Sequence, residues 1–393
     1  MKKLSLLAIL AAITLFSCQN NEVQENLNEA VVGKGFTSQI INGQYIVIFK
    51  DQGTLRSAKT DGFAAPEVVM QATRSILNES NISLREPEQV YGSALRGVAI
   101  KLSAIEASKL LANENVAGVY PDMIVTYELP SALAKPVRVP PAESTPWGIT
   151  RVGGSSDGTG KTAWIIDTGI DLDHADLNVD KTKGKNFILP SVLPDDDNGH
   201  GTHCAGIVAA IDNSIGVIGV AAGATVVSIK VLNKRGSGTY SQIIAGINYV
   251  AANAQVGDAA NFSLGGGAYD PIDLAVSNLA AKGVKVAIAA GNESQNSNNC
   301  SPARVNGTNI YTISAMGTGD LWASYSNFAN PPIDYCAPGS YIFSTYKGGS
   351  YATLSGTSMA TPHVCGLLLL GSIQTDGYVI GDPDGNPDPI AHK

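Results

Sequence analysis

Basic charge is in short supply: 26 Lys and Arg stand against 34 Asp and Glu, for a formal net charge of −8. No basic run interrupts that balance, so a nucleic-acid backbone finds no counter-charge here and nucleic acid is excluded as a partner. Aromatic residues are only 6 % of the chain and no long heptad runs through it, which excludes a coiled-coil partner. The opening apolar run, Leu4 to Phe16, is too short to span a bilayer. Cysteine and histidine number five each. No second Cys or His pair completes a zinc set around His200, His203 and Cys204.

The opening run follows Lys2 and Lys3 and reads as a signal peptide over residues 1–17. Leu15-Phe16-Ser17-Cys18 resembles a bacterial lipoprotein cleavage site, which would leave Cys18 as a lipidated first residue on a polar tether, 18–35. Residues 36–128 read as a small α+β domain. Strands are expected at Tyr45 to Phe49, Gly97 to Leu102 and Val116 to Tyr127, with helices at Glu67 to Leu77 and Ile105 to Asn113. A Pro-rich linker over 129–144, with Pro130, Pro136, Pro140 and Pro141, is extended and cleavable.

From 145 to 393 apolar strands alternate with helical patterns. Strands are expected at Thr162 to Asp167, Thr225 to Val231, Ala259 to Leu264 and Lys285 to Ala290, and helices near His203 to Ile211, Ser241 to Ala254 and Ile272 to Ala281. This is the α/β class, a mainly parallel sheet with helices on both faces, whose site lies at the C-terminal ends of the strands.

Three segments carry chemistry-bearing residues. Ser355-Gly356-Thr357-Ser358-Met359-Ala360 turns on a glycine into an apolar helix, presenting a hydroxyl where backbone N–H groups face developing negative charge. Alone, it reads equally as an ordinary capped helix start. Trp164-Ile165-Ile166-Asp167-Thr168-Gly169 is a buried strand delivering a carboxylate, and Asn198-Gly199-His200-Gly201-Thr202-His203 sets an imidazole between glycines. A serine needs such a base and a group to orient it. His203 and His363 read as packed, hydrogen-bonded residues, and aspartates 195–197 as a solvated loop.

The order Asp167, His200, Ser358 and the residues around each resemble the subtilisin-type serine peptidases, nearest the proteinase K branch. An α/β-hydrolase esterase does not fit, because the serine lies in Gly-x-Ser-x-Ala and follows both partners. The resemblance implies an exported serine endopeptidase with Asp167, His200 and Ser358 as catalytic triad. Asn292 would be the oxyanion donor, after the strand Val286-Ala287-Ile288-Ala289-Ala290-Gly291. It further implies that Gly236, Ser237 and Gly238 face Ser263, Leu264, Gly265 and Gly266 across an extended substrate. Ala290 and Gly291 help to wall a pocket without an acidic floor, suited to uncharged side chains. Residues 36–128 become an inhibitory propeptide and protein its substrate, with a monomer expected and no cofactor required.

The resemblance also implies a bridge between Cys300 and Cys336 and a structural calcium at Asp334, while Cys204 and Cys365 read as buried thiols. Asp382-Pro383-Asp384-Gly385-Asn386-Pro387-Asp388 spaces oxygens like a calcium loop, but its glycine is misplaced for an EF-hand and it reads as a solvated acidic turn. Relatives usually continue past Leu370 with another helix; the polar stretch 371–393 leaves the serine helix without that support. With the lipid on the part cut away, processing between Tyr127 and Pro146 would release the mature domain from the membrane.

Overall fold

The computed structural model describes residues 35–50 and 65–393, so the signal peptide, Cys18 and nearly all of the tether lie outside the described residues. Among those described, no helix is long and apolar enough to cross a membrane.

The N-terminal domain forms strand β1 (Phe36–Phe49), helix α1 (Pro66–Glu79), β2 (Gln89–Tyr91), β3 (Gly97–Lys101), α2 (Ala104–Leu111) and β4 (Val116–Tyr127). The expected strand pattern is present, extended at the start of β1. Period-two alternation sorts β1 between two cores. Val47 and Phe49 pack with Val69, Ile76 and Leu110 of the domain's own helices, whereas Ile46 and Ile48 face the rest of the protein. A reciprocal Ser103 and Glu106 capping box starts α2.

The larger domain contains β5 (Thr162–Asp167), α3 (His200–Ala209), β6 (Thr225–Lys230), β7 (Ser237–Thr239), α4 (Tyr240–Asn253), β8 (Ala259–Phe262), α5 (Asp270–Ala281) and β9 (Lys285–Ala289). It continues with β10 (Ile310–Met316), β11 (Ile333–Pro338), β12 (Ile342–Tyr346), β13 (Ser350–Leu354), α6 (Thr357–Leu370), β14 (Gln374–Tyr378) and β15 (Pro389–His392). The main sheet runs β14-β15-β11-β10-β9-β8-β5-β6, with two-residue strands at 178–179 and 185–186 beyond β6. Its pairs are parallel except β14 with β15. Trp164 and Ile166 point to the layer of α4 and α5; Ala163 and Ile165 point to α3 and α6. Helices on both faces explain why these strands read as continuous apolar runs.

Helix α6 is buried around its whole circumference from Thr357 to Leu369, as a central helix must be. Its C-terminal support comes from two unforeseen places. Lys285 Nζ donates to the carbonyls of Leu368 (2.7 Å) and Gly371 (2.9 Å), matching a cation to the negative end of the helix. The polar tail also folds back as the β14–β15 hairpin, placing Ile390 beside Cys336 in the sheet.

The small domain sits on the α4 and α5 layer, sharing its core. Asn248 Oδ1 accepts the backbone N–H groups of Gly92, Ser93 and Ala94 at 2.7–3.0 Å, and Tyr91 Oη donates to the Ser241 carbonyl at 3.0 Å. Fully buried Asp122 accepts the Ser241 N–H at 3.1 Å at the start of α4, and burial raises its carboxyl above the ordinary range.

Candidate active site

Asp167 is the last residue of β5 and is fully buried. His200 opens α3, with Gly199 before it in the left-handed region at φ 114°. A Cβ on Gly201 would stand 2.1 Å from the Gly169 carbonyl oxygen, so only glycine lets the helix approach the strand closely enough. The His200 Nδ1 lies 2.9 and 3.0 Å from the two Asp167 carboxylate oxygens. Its Nε2 is buried without a hydrogen-bond partner.

Ser358 is the second residue of α6, and its Oγ donates to the Ser263 carbonyl at 3.3 Å. Asn292 follows β9; its Oδ1 accepts both the N–H and the Oγ1–H of Thr357 at 2.9 Å. Those donors fix which end of the amide is oxygen, leaving Nδ2 as the free donor beside Gly356. Ser358 and Asn292 line one cavity with Ser263, Leu264, Gly265, Gly266, Ala290 and Gly291.

The same cavity is lined by Tyr127, Glu128, Leu129 and Pro130. Strand β4 pairs antiparallel with β7, Thr126 opposite Ser237 and Val125 opposite Gly238, and the Tyr127 N–H donates to the Gly236 carbonyl at 3.0 Å. Glycine is required at 236, where φ is 75° and a Cβ would meet the Tyr127 oxygen at 2.6 Å. The opposite edge of β4 is taken by β1, Phe36 facing Tyr127, so the segment 263–266 lines the cavity without forming a ladder with the tail.

Several surrounding residues differ from their sequence reading. Asp196 is buried, not solvated. Its Oδ1 accepts the Thr168 hydroxyl and the N–H groups of Asn198 and Gly199, and its Oδ2 the N–H and hydroxyl of Thr202, which ties the α3 start to the end of β5. Asp195 accepts the Leu172 N–H, and Asp197 pairs with Lys230 at 2.7 Å. Glu293 brings a carboxyl to the cavity wall that the reading of an acid-free pocket missed; burial raises it above its ordinary range. Asn327 holds this turn. Its Oδ1 accepts the N–H groups of Glu293 and Gln295 (3.0 Å each), and its Nδ2 donates to Ala290 O (2.9 Å) and Glu293 Oε2 (2.6 Å).

His203 and His363 are structural. His203 Nε2 bridges the Ile342 and Ala352 carbonyls at 3.1 Å, and His363 Nδ1 bonds Met359 O at 2.8 Å; burial lowers them to about 3 and about 4. Cys204, Cys300, Cys336 and Cys365 are all free and buried. The implied Cys300–Cys336 bridge is not formed, because the two sulfurs belong to separate apolar clusters. Cys300 lies beneath the cavity, against Gln295 and Asn327, and Cys336 packs with Met316, Val379 and Ile390. Ligand atoms of Asp167, His200 and Cys204 lie within 4.8 Å of one another. Burial holds the Cys204 thiol neutral, its pKa well above the usual value, and its Sγ donates to Ser358 O, so this trio is poorly suited to a metal. Asp334 lies in β11; its Oδ2 accepts the Thr312 N–H at 2.9 Å, and burial raises its carboxyl to about 6.

Comparison with known proteins agrees with this geometry. Residues 158–372 match the Subtilase family and residues 44–128 match Peptidase inhibitor I9. An extracellular serine proteinase of Thermus sp. (strain Rt41A) is 33% identical, covering 100% of this chain and 93% of that protein. Proteinase R of Parengyodontium album is 35% identical over 71% of each chain. The crystal structure of a cold adapted subtilisin-like serine proteinase, 33% identical, superposes with a TM-score of 0.56 over 63% of this chain and 97% of that one. The chain belongs to the subtilase family: it is an exported serine endopeptidase that hydrolyses peptide bonds of proteins, made as an autoprocessed precursor behind its own I9 inhibitor.

Proposed function

We propose that Asp167, His200 and Ser358 perform the acyl transfer, with Asn292 and the Ser358 N–H as oxyanion donors. The observation that carries this reading is the His200 ring, gripped by Asp167 through Nδ1 while its Nε2 has no partner, on a helix whose Cys204 thiol donates to the carbonyl of Ser358. His200 Nε2 takes the Ser358 proton as Oγ bonds to the substrate carbonyl carbon. Asp167 orients the ring and stabilises the imidazolium. The imidazolium returns the proton to the leaving nitrogen, and the C–N bond breaks. Water then repeats the sequence on the acyl ester, freeing the acid and restoring Ser358.

The boundaries that go with this reading are a signal peptide over 1–17, a tether over 18–35, the inhibitor over 36–128, a processing linker over 129–144 and the peptidase over 145–393. The first cut falls between Tyr127 and Pro146, the tail 127–130 lining the cavity supporting that placement. Gly236, Ser237 and Gly238 would hold a substrate backbone as they hold β4. Lipid on Cys18 would anchor the precursor, and the cut would release a monomeric mature domain. Asp334, a largely buried carboxyl without a cationic partner among the described residues, is the residue assigned to a structural calcium.

Masses of the products from residues 19–393, wild type beside Ser358→Ala, test the assignment. The wild type is expected to be cut between Tyr127 and Pro146 and the variant to stay whole. Equal processing of both would overturn it, as would two whole chains after prolonged incubation with calcium. In cells making the full chain with Cys18, a lipid still attached to a mature species of full catalytic size would overturn the release.

A further inference from the structure

The loop between β14 and β15 buries a carboxyl group for which the described residues supply no cationic partner. Asp388 is 0% exposed; its Oδ2 accepts the Ser314 hydroxyl and its Oδ1 has no hydrogen-bond partner. Asp382 Oδ2 and Asn330 Oδ1 are likewise buried and unpartnered. The Asn330 Nδ2 donates to the Asn386 carbonyl at 3.3 Å, which leaves its Oδ1 on the other side of the amide. The Asn330 amide lies at the Asp388 carboxyl and helps to hold its charge, whereas the charges of Asp382 and Asp384 oppose it. Among the described residues no Lys, Arg or His forms an ion pair with Asp382 or Asp388.

A buried carboxyl is protonated, paired with an opposite charge or bound to a metal ion, and like charges clustered around it favour the first and the last. We propose that Asp382, Asp388 and Asn330 form a binding site for a hard divalent cation, calcium by preference, which locks the β14–β15 hairpin onto the main sheet. The open groups are all oxygen, two carboxylates and an amide carbonyl, the ligand types calcium takes and zinc or copper do not favour. So mixed and irregular a set suits calcium's flexible coordination better than magnesium's strict octahedron. Asp384 contributes field without being needed as a ligand, since its Oδ1 accepts the Asn386 N–H at 2.8 Å. The site differs from the one assigned to Asp334, whose bonded partner is Thr312.

The test uses the chain from residue 19 in a Ser358→Ala background, with Tb³⁺ as probe. Trp322 packs against Val379 and Ile390 at the base of the hairpin and serves as the sensitiser. Tb³⁺ luminescence excited through tryptophan should appear and be displaced by Ca²⁺. Asp382→Asn and Asp388→Asn should each weaken it by about tenfold or more, and Asp334→Asn should leave it unchanged. Because Asp388→Asn could disturb packing, half-buried Asp382→Asn carries a second readout: Ca²⁺ should slow amide exchange over 374–392 in the parent and lose that effect in the variant. Absence of sensitised Tb³⁺, a signal indifferent to Asp382→Asn, or exchange unaffected by Ca²⁺ would each overturn the proposal.

Discussion

The Ser358 hydroxyl donates to the Ser263 carbonyl oxygen at 3.3 Å while the His200 Nε2 stays unpartnered. The propeptide tail lines the cavity beside Ser358, and the serine hydroxyl is held by a backbone carbonyl and not by the base.

Asn292→Ala should lower kcat by about 10²- to 10³-fold with little change in KM, a magnitude taken from the corresponding donor of subtilisin and not from these distances. Stopped-assay kinetics on a peptide amide, with KM and kcat resolved, checks it. A loss confined to KM would remove Asn292 from the oxyanion role.

Asn327→Ala should also lower kcat, though it acts through the turn that carries Asn292. Four hydrogen bonds disappear, and buried backbone groups at Ala290 and Glu293 lose partners. Unfolding of the mature domain should become easier by about 1–3 kcal/mol, measured by denaturant titration, and Asn292→Ala should also cost stability because the buried Thr357 N–H and hydroxyl lose their acceptor.

Asp122 makes the hold of the inhibitor depend on pH. Its carboxyl is raised in the docked state by burial above all, so the complex keeps a proton to higher pH than the free propeptide does. The stabilisation is full below the ordinary carboxylate range and declines as pH rises through the raised value. Inhibition constants of the separate propeptide should therefore weaken with rising pH across the acid range, and Asp122→Asn should flatten that trend.

Glu293 gives the cavity an acid that only its ionised form can use. Peptides with Lys before the cut should gain on peptides with Phe as pH rises through the raised value of this carboxyl. Glu293→Gln should cut kcat/KM for the Lys peptide by about tenfold relative to Phe, the worth of one hydrogen bond to a charged group.

Much of the fold could be read from local pattern, since strands such as Thr162–Asp167 and helices such as Tyr240–Asn253 carry their periodicity within a few residues. Asp167, His200 and Ser358 stood out because each sits at a junction marked by glycine. What escaped depends on distant partners. Asp196 serves residues on both sides of it in sequence, Asn327 braces a turn some thirty residues earlier, and Lys285 caps a helix that starts far downstream. An isolated polar residue in a loop gives no period that announces such a role. The tail misled for a similar reason: Val379, Ile390 and Ala391 are too few to look like a strand pair, yet all three are buried against a sheet already formed.

The sheet's two margins are unfriendly to foreign strands. One ends in two-residue pieces at 178–179 and 185–186, the other in the solvent-exposed, irregular Gln374–Tyr378, whose Asp376 pairs with Arg151. Such blunt margins discourage self-association between copies of the chain. A protease must nevertheless catch extended polypeptide, and here the edge at Ser237–Thr239 does so, holding the propeptide's own strand. The edge offered to an extended chain is this three-residue strand, covered in the precursor by β4. An exported enzyme works among its own half-digested products, and margins of this kind give such fragments little to pair with.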